Sequence, residues 1–550
     1  MPSPLSLTRH QLLLAVLAVA IAWTTWFSGA GRLGLVGPDE PRYVSIARAM
    51  AESGDWVTPR LNGQPWFEKP VLYYWSAAAA FRVFGESETA ARLPSAVAIS
   101  LAALALVALA ARTWGGGPAL ALGFILPSML ATIAFARAAS TDMVFASTLT
   151  LAFVAAARLG ELALAQSTSL RAVGRTGERR LWQLAWGCAL GLAVLAKGPA
   201  AVLLAGGSLV LWALVLRNWR LVLAFMPPAS LAVFAVVALP WYALCAARNP
   251  DFLRVFLFEH NLQRFLTPVF AHEQPWWYFA GVLVAGLMPW TALLVPALRD
   301  AWRDAALRRG AVPVLALCWA VVPFVFFSVS RSKLPGYILP MFPPLALLMA
   351  RAMAESLAAP GRGRALLASV GATLLAAGSV LAFAARPLLP ASLVPTIEAL
   401  GLTTWAIAIA ATGVGIILLS LRLREWIALG LTAAVMAILV IGVMGRVAPV
   451  LDPLLTSRAA AVAALREAKG RPIYEFGLER TMDYGLDYYL RRDVPEWSPA
   501  AGEGVVVVRA TTARTFAASG YMVEIVDRIS ADAVITSVRR LDTMRLLRLP

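Results

Sequence analysis

Apolar residues arrive in long unbroken runs, separated by short stretches rich in arginine, glycine and proline. The first run covers residues 11–29. Others follow at 93–111, 118–136, 141–163, 181–196, 199–216, 221–240, 277–297, 311–329, 337–354, 365–384, 402–421 and 426–446. About 18 or more apolar residues wound as a helix cross the hydrocarbon layer of a bilayer. The pattern therefore predicts about thirteen membrane-spanning helices. Arg9 before the first run and Ser28-Gly29-Ala30 after it also fit a cleaved signal peptide. The length of the run and the many spans behind it favour an uncleaved anchor.

Two long stretches interrupt the rhythm, at 30–92 and 241–276. In the first, Pro41 to Glu52 and Val71 to Phe84 have the spacing of short amphipathic helices, with Asp39 as a candidate cap. The second helix carries Tyr73, Tyr74, Trp75 and Phe81, residue types that collect at the lipid–water boundary. From residue 447 the runs shorten. Arg471–Phe476, Gly504–Arg509, Tyr521–Val526 and Ala533–Val538 read as strands, with helical pieces near 456–468 and 481–491. The division expected is a transmembrane domain over 1–446 and a small α/β domain over 447–550.

Composition agrees. The chain is 60% hydrophobic and 14% charged, where a soluble protein carries roughly 25% charged residues. The net charge of +17 reflects arginines gathered in the short loops of one side, among them Arg112, Arg158, Arg179, Arg180, Arg217, Arg220, Arg299, Arg303, Arg351 and Arg422. That side is cytoplasmic by the positive-inside rule. It leaves 30–92, 241–276 and the tail outside, where the remaining cations can meet membrane lipids. No nucleic-acid-binding pattern accompanies the charge. Cys188, Cys245 and Cys318 lie far apart, which excludes a disulfide framework.

The chemistry-bearing residues stand on the outer side. Charges at a membrane mouth need a partner or a task. Asp39 and Glu40 are adjacent acids able to position a substrate or act as a base; a helix cap and dipole effect explain them as well. Glu68-Lys69 follows, and an ammonium suits a phosphate oxygen. Asp142 opens an apolar helix behind Ser140-Thr141, where capping is an equal explanation. Arg254, His260, Arg264 and His272 share the 241–276 stretch. With Glu68, the two histidines are candidate ligands for a divalent metal, zinc or magnesium, although no HxxxH pair is present. Arg331 and Lys333 in SVSRSKLPGYILP suit a second phosphate. No GxSxG, P-loop or kinase motif occurs, so no nucleotide cofactor is expected.

The segments PDEPRY, GDWVTPRLNGQPWFEKPVLYYW, HEQPWWY and SRSKLPGYILP resemble those of the protein-mannosyltransferase-like membrane glycosyltransferases with the GT-C fold. Within that group they are most similar to the bacterial 4-amino-4-deoxy-L-arabinose lipid A transferases. The resemblance covers roughly residues 10–445. It implies an undecaprenyl-phosphate-linked sugar donor, a lipid A phosphate acceptor, and inverting transfer at the periplasmic face of the inner membrane by a monomer. Polymyxin resistance would follow. Asp39, Asp142 and Lys69 would be catalytic. Glu40, Arg42, Tyr43, Tyr73, Arg254, Arg264, Arg331 and Lys333 would bind substrate. A polyprenyl-phosphate-mannose-type protein O-glycosyltransferase, with Asp39 as a true base, and a lipid-linked sugar flippase are the alternatives.

Overall fold

The computed structural model describes residues 9–166, 176–263, 266, 273–359, 361–388, 401–422, 425–509, 521–528 and 533–540. Of the expected site residues, Arg264 and His272 lie outside these. A helix stands wherever the sequence has a long apolar run, and the protein is a polytopic membrane protein. Among the described residues, eight helices are long and apolar enough to cross a bilayer, or up to ten if each of two bent pairs is one span. About thirteen were expected. The shortfall has local causes. Thr176–Lys197 begins with Glu178, Arg179 and Arg180, and Ala200–Leu216 stops after 17 residues.

The bent pairs account for two further departures. The run at 118–136 is broken between Gly116–Ser128 and Leu130–Ala136, which meet at 61°. The run at 277–297 is broken between Tyr278–Gly286 and Trp290–Leu307, at 108°. Pro127 and Pro289 lack the N–H that would continue each ladder. The two breaks lie against each other and supply each other's partners. The Leu130 amide donates to the Met288 carbonyl at 2.9 Å, and the Trp290 indole donates to Ser128 Oγ at 2.8 Å. Polar backbone freed inside an apolar bundle must find such partners.

The 30–92 stretch is built into the body of the protein. Its helices, Asp39–Ser53 and Leu72–Phe84, bury Val44, Ile46, Tyr73, Tyr74 and Ala77 to 0% exposure. The residues of the expected interfacial belt are largely core: Tyr73, Tyr74 and Phe81 are buried and Trp75 is half-buried. Asp39 is not the cap. Pro38 holds that position, and Asp39 is the first helical residue. Between the helices, β1 (Arg60–Leu61) and β2 (Gln64–Pro65) form an antiparallel hairpin. Asn62 and Gly63 close it with φ of 49° and 79°, the left-handed pair that an Asn-Gly turn supplies at low cost.

The last span continues past the expected boundary at 446, through a wide turn over Val443–Val447 and the helix Ala448–Leu455. Beyond it, helices Arg458–Ala468 and Arg480–Leu490 accompany a four-stranded sheet. Its strands are β3 (Ile473–Phe476), β4 (Gly504–Arg509), β5 (Tyr521–Arg528) and β6 (Ala533–Arg540), in the order β3-β4-β6-β5. β3 and β4 are parallel and the other pairs antiparallel. Val505 and Val507 join one buried cluster, with Ala464, Leu486 and Ile535. Val506 and Val508 join another, with Trp497 and Val534. A strand covered on both faces explains four consecutive valines.

This unit is pinned to the first stretch. Asp452 Oδ1 accepts from the Gly34 amide at 2.6 Å. The Tyr489 hydroxyl accepts from the Leu35 amide at 2.9 Å and donates to Glu88 at 3.1 Å. Asn62 donates to Asp487 and Asp493, each at 2.8 Å.

Candidate functional site

The site rests on a closed platform. Arg92 sits on the helix Glu88–Trp114, whose start Ser87 caps by accepting from the Ala90 amide. Its Nε and Nη2 donate to Glu40 at 3.1 and 2.6 Å, and its Nη groups also reach the carbonyls of Ala30, Leu33 and Gly34 at 2.5–2.7 Å. All five guanidinium N–H donors are used. Glu40 in turn accepts from the Val36 and Ala139 amides at 2.7 and 2.6 Å. Both side chains are buried. Glu40 was expected to bind substrate; it is instead committed to holding two loops together. Tyr73, from the same expectation, is 0% exposed and donates to the Ala91 carbonyl at 2.8 Å. It packs beneath the site.

Above the platform runs an ion-pair chain, Asp39–Arg42–Glu68–Lys69. Arg42 contacts Asp39 and lies 3.0 Å from Glu68, whose other oxygen accepts from Lys69 at 3.1 Å. The rings of Tyr43, Trp66 and Tyr484 surround the Arg42 guanidinium, with centroids at 5.4, 5.6 and 5.6 Å. Burial pulls its pKa down, but Glu68, Tyr43 and Asp39 outweigh burial, and the net shift is upward. Tyr43 is 3% exposed and backs Arg42 rather than opening to solvent.

Lys69 reaches a cavity of about 460 Å³. Its polar lining includes Glu68, Lys69, Lys197, Asn261, Ser330 and Tyr337. Its apolar wall is Leu203, Phe256, Leu257, Phe258, Leu262, Phe326 and Phe327. Lys197 contacts Asp142 and lies 5.0 Å from the Tyr337 ring and 5.5 Å from Phe145. Ser140 does cap the helix Thr141–Gln166, since its Oγ accepts from the Asp142 amide at 3.2 Å. Asp142 has a second task in holding Lys197. Gly336 makes room for that carboxylate: a Cβ there would fall 2.6 Å from Asp142 Oδ2.

The other expected residues are arranged around this core. Lys333 is buried and has no hydrogen-bond or ion-pair partner among the described residues. Arg331 is exposed beside Ser330. Arg254 belongs to a neighbouring hollow of about 520 Å³, with Trp66, Arg248 and His260; His260 lines both spaces. Glu68 is engaged by two cations, and no three His, Cys, Asp or Glu residues among those described converge as a metal site. His272, the third expected metal ligand, lies outside the described residues. Sequence reasoning missed Lys197, Trp66 and Tyr337. Lys197 left a trace: it is a cation on the side where the arginine bias predicts few.

The family model for dolichyl-phosphate-mannose-protein mannosyltransferases matches residues 11–256. An undecaprenyl phosphate-alpha-4-amino-4-deoxy-L-arabinose arabinosyl transferase of Pseudomonas aeruginosa (strain UCBPP-PA14) is 37% identical over 351 residues, 62% of this chain and 60% of the relative. The enzyme of that name from Edwardsiella ictaluri (strain 93-146) is 36% identical over 321 residues, 58% and 55% of the two chains. The chain thus matches less than two thirds of these relatives' length. The crystal structure of ArnT from Cupriavidus metallidurans bound to undecaprenyl phosphate has a TM-score of 0.78 at 27% identity, covering 95% of this chain and 97% of that one. The chain is thus similar in sequence to these transferases over part of its length, and similar in architecture to ArnT over nearly all of it.

Proposed function

We propose that the protein transfers 4-amino-4-deoxy-L-arabinose from undecaprenyl phosphate to a phosphate of lipid A, at the periplasmic face of the bacterial inner membrane. One observation carries the reading: a single cavity is lined by two lysines together with aromatic and aliphatic side chains. That is the shape of a polyprenyl phosphate, anionic at its head and apolar behind it.

In this reading an acceptor phosphate oxygen attacks the anomeric carbon. The bond from that carbon to the donor phosphate breaks with inversion, and the lipid phosphate leaves with the electron pair. The acceptor is already anionic and needs no strong base. The demand is for fixed positive charge where the leaving phosphate gains its own, which Lys69 and Lys197 supply. Asp142 aims Lys197. Asp39, half exposed at the end of the ion-pair chain, is placed to meet the sugar's ammonium. Lys333 and Arg254 are the cations for the acceptor.

The far end of the bundle carries Arg112, Arg158, Arg309 and Arg351, which supports placing it in the cytoplasm and the site outside. A flippase would put ionisable groups at broken helices near the midplane. Here residues 126–130 and 286–290, at the two breaks, include no ionisable residue. Mass spectrometry of lipid A from cells with and without the gene tests the proposal. An added aminoarabinose that depends on the gene supports it; identical lipid A from both, with the protein present, contradicts it.

A further inference from the structure

The Arg42 cage is made by two parts of the chain. Tyr43 and Trp66 come from the first stretch, whereas Tyr484 comes from the helix Arg480–Leu490 of the tail unit. Arg42 holds two carboxylates through its Nη groups, and its buried Nε has no hydrogen-bond partner. Ring contact is therefore a main restraint on how the guanidinium plane lies. The helix bearing Tyr484 is anchored within one turn on the same side of the molecule. The Tyr488 carbonyl accepts from Arg48 at 2.8 Å, and Tyr489 bonds the Leu35 amide and Glu88. Tyr484 is thus delivered to the site from a fixed support.

What Tyr484 restrains matters because Glu68 is shared. Arg42 lies 3.0 Å from one of its oxygens and Lys69 is 3.1 Å from the other. Should Arg42 swing toward Asp39 alone, the full charge of Glu68 would fall on Lys69 and draw it from the cavity. We propose that Tyr484 is a positioning residue for transfer: the tail unit fixes Arg42 against Glu68, and this weakens the hold of Glu68 on Lys69 so that its ammonium can meet the donor phosphate. The inference rests on the function proposed above. It makes the tail unit a working part of the site rather than a cover.

The test is steady-state transfer by the full chain in lipid nanodiscs, with undecaprenyl-phosphate aminoarabinose and lipid A. Tyr484→Ala should lower kcat about tenfold, the size of a desolvated cation–π contact, with KM for the donor within about twofold. Tyr484→Phe keeps the ring and should retain the wild-type kcat. In an Arg42→Lys background the Tyr484→Ala change should cost little more, because the two act through one contact. Full activity of Tyr484→Ala, equal loss in Tyr484→Phe, or full additivity with Arg42→Lys overturns the inference while leaving the transferase reading intact. A wild-type protein with no transfer overturns both.

Discussion

Glu40 and Arg42 stand two residues apart on one helix, and each forms a buried ion pair, yet they serve different ends. The Glu40–Arg92 pair is complete: five donors, two carboxylate oxygens and five loop groups are all matched. The Arg42–Glu68–Lys69 chain is not. It has a donor to spare and it ends at a cavity. Charge and burial are alike in both. The difference is that the second chain ends in Lys69 at an open cavity, and that is what a substrate can exploit.

The largest effects should come from breaking the complete network. Removing one partner of a buried, paired charge leaves the other stranded, at about 3–5 kcal/mol. Arg92→Met should therefore yield little folded protein, read by size-exclusion profile and thermal unfolding. The open chain should behave the other way. Lys69→Ala should reduce transfer by about a hundredfold or more, the scale of losing one charge stabiliser, with the unfolding midpoint within a few degrees of wild type. Lys197→Ala should lower transfer comparably and Asp142→Asn less, because Asp142 acts through Lys197. A Lys69→Ala protein that fails to fold would erase the distinction between the regions.

The smallest effect belongs to the tail. Burial pushes the Glu475 carboxyl up to about 8, helped by Asp483, Asp487 and Glu496 around it. Burial likewise lifts Asp487 to about 6, while Asn62 and the Val494 amide pull it down. A carboxyl with a raised folded pKa keeps its proton after the unfolded chain has lost it. Its stabilising contribution is full below the ordinary carboxylate range and is lost as pH rises through the folded value. Hydrogen exchange at β3, corrected for intrinsic rate, should show stronger protection at pH 5 than at pH 8.5. Glu475→Gln should flatten that dependence.

Much of this was legible in the sequence, because hydropathy reports length and apolarity directly. The two short helices of the first stretch and strand Gly504–Arg509 fall where the pattern puts them. Bends were not legible: a run of apolar residues looks the same whether it is straight or folded at a proline. Glu40 was misread because sequence adjacency is not spatial adjacency. Successive helical residues point about 100° apart, so Asp39 faces outward while Glu40 faces the core. Lys197 was not singled out, because its partners Asp142 and Tyr337 are distant in sequence and meet it only in the fold. Tyr484 had no local signal at all, since its partner is reached only through the docking of the tail.

The central claim is that the cavity headed by Lys69 and Lys197 receives a polyprenyl phosphate. A photoreactive polyprenyl phosphate, cross-linked to the full chain in nanodiscs and mapped by mass spectrometry, tests it directly. The account predicts labels on the wall around Leu203, Phe256–Phe258 and Phe326–Phe327, displaced by undecaprenyl phosphate and much reduced in Lys69→Ala. Labelling confined to other surfaces, or unaffected by the competitor and by the substitution, would contradict it.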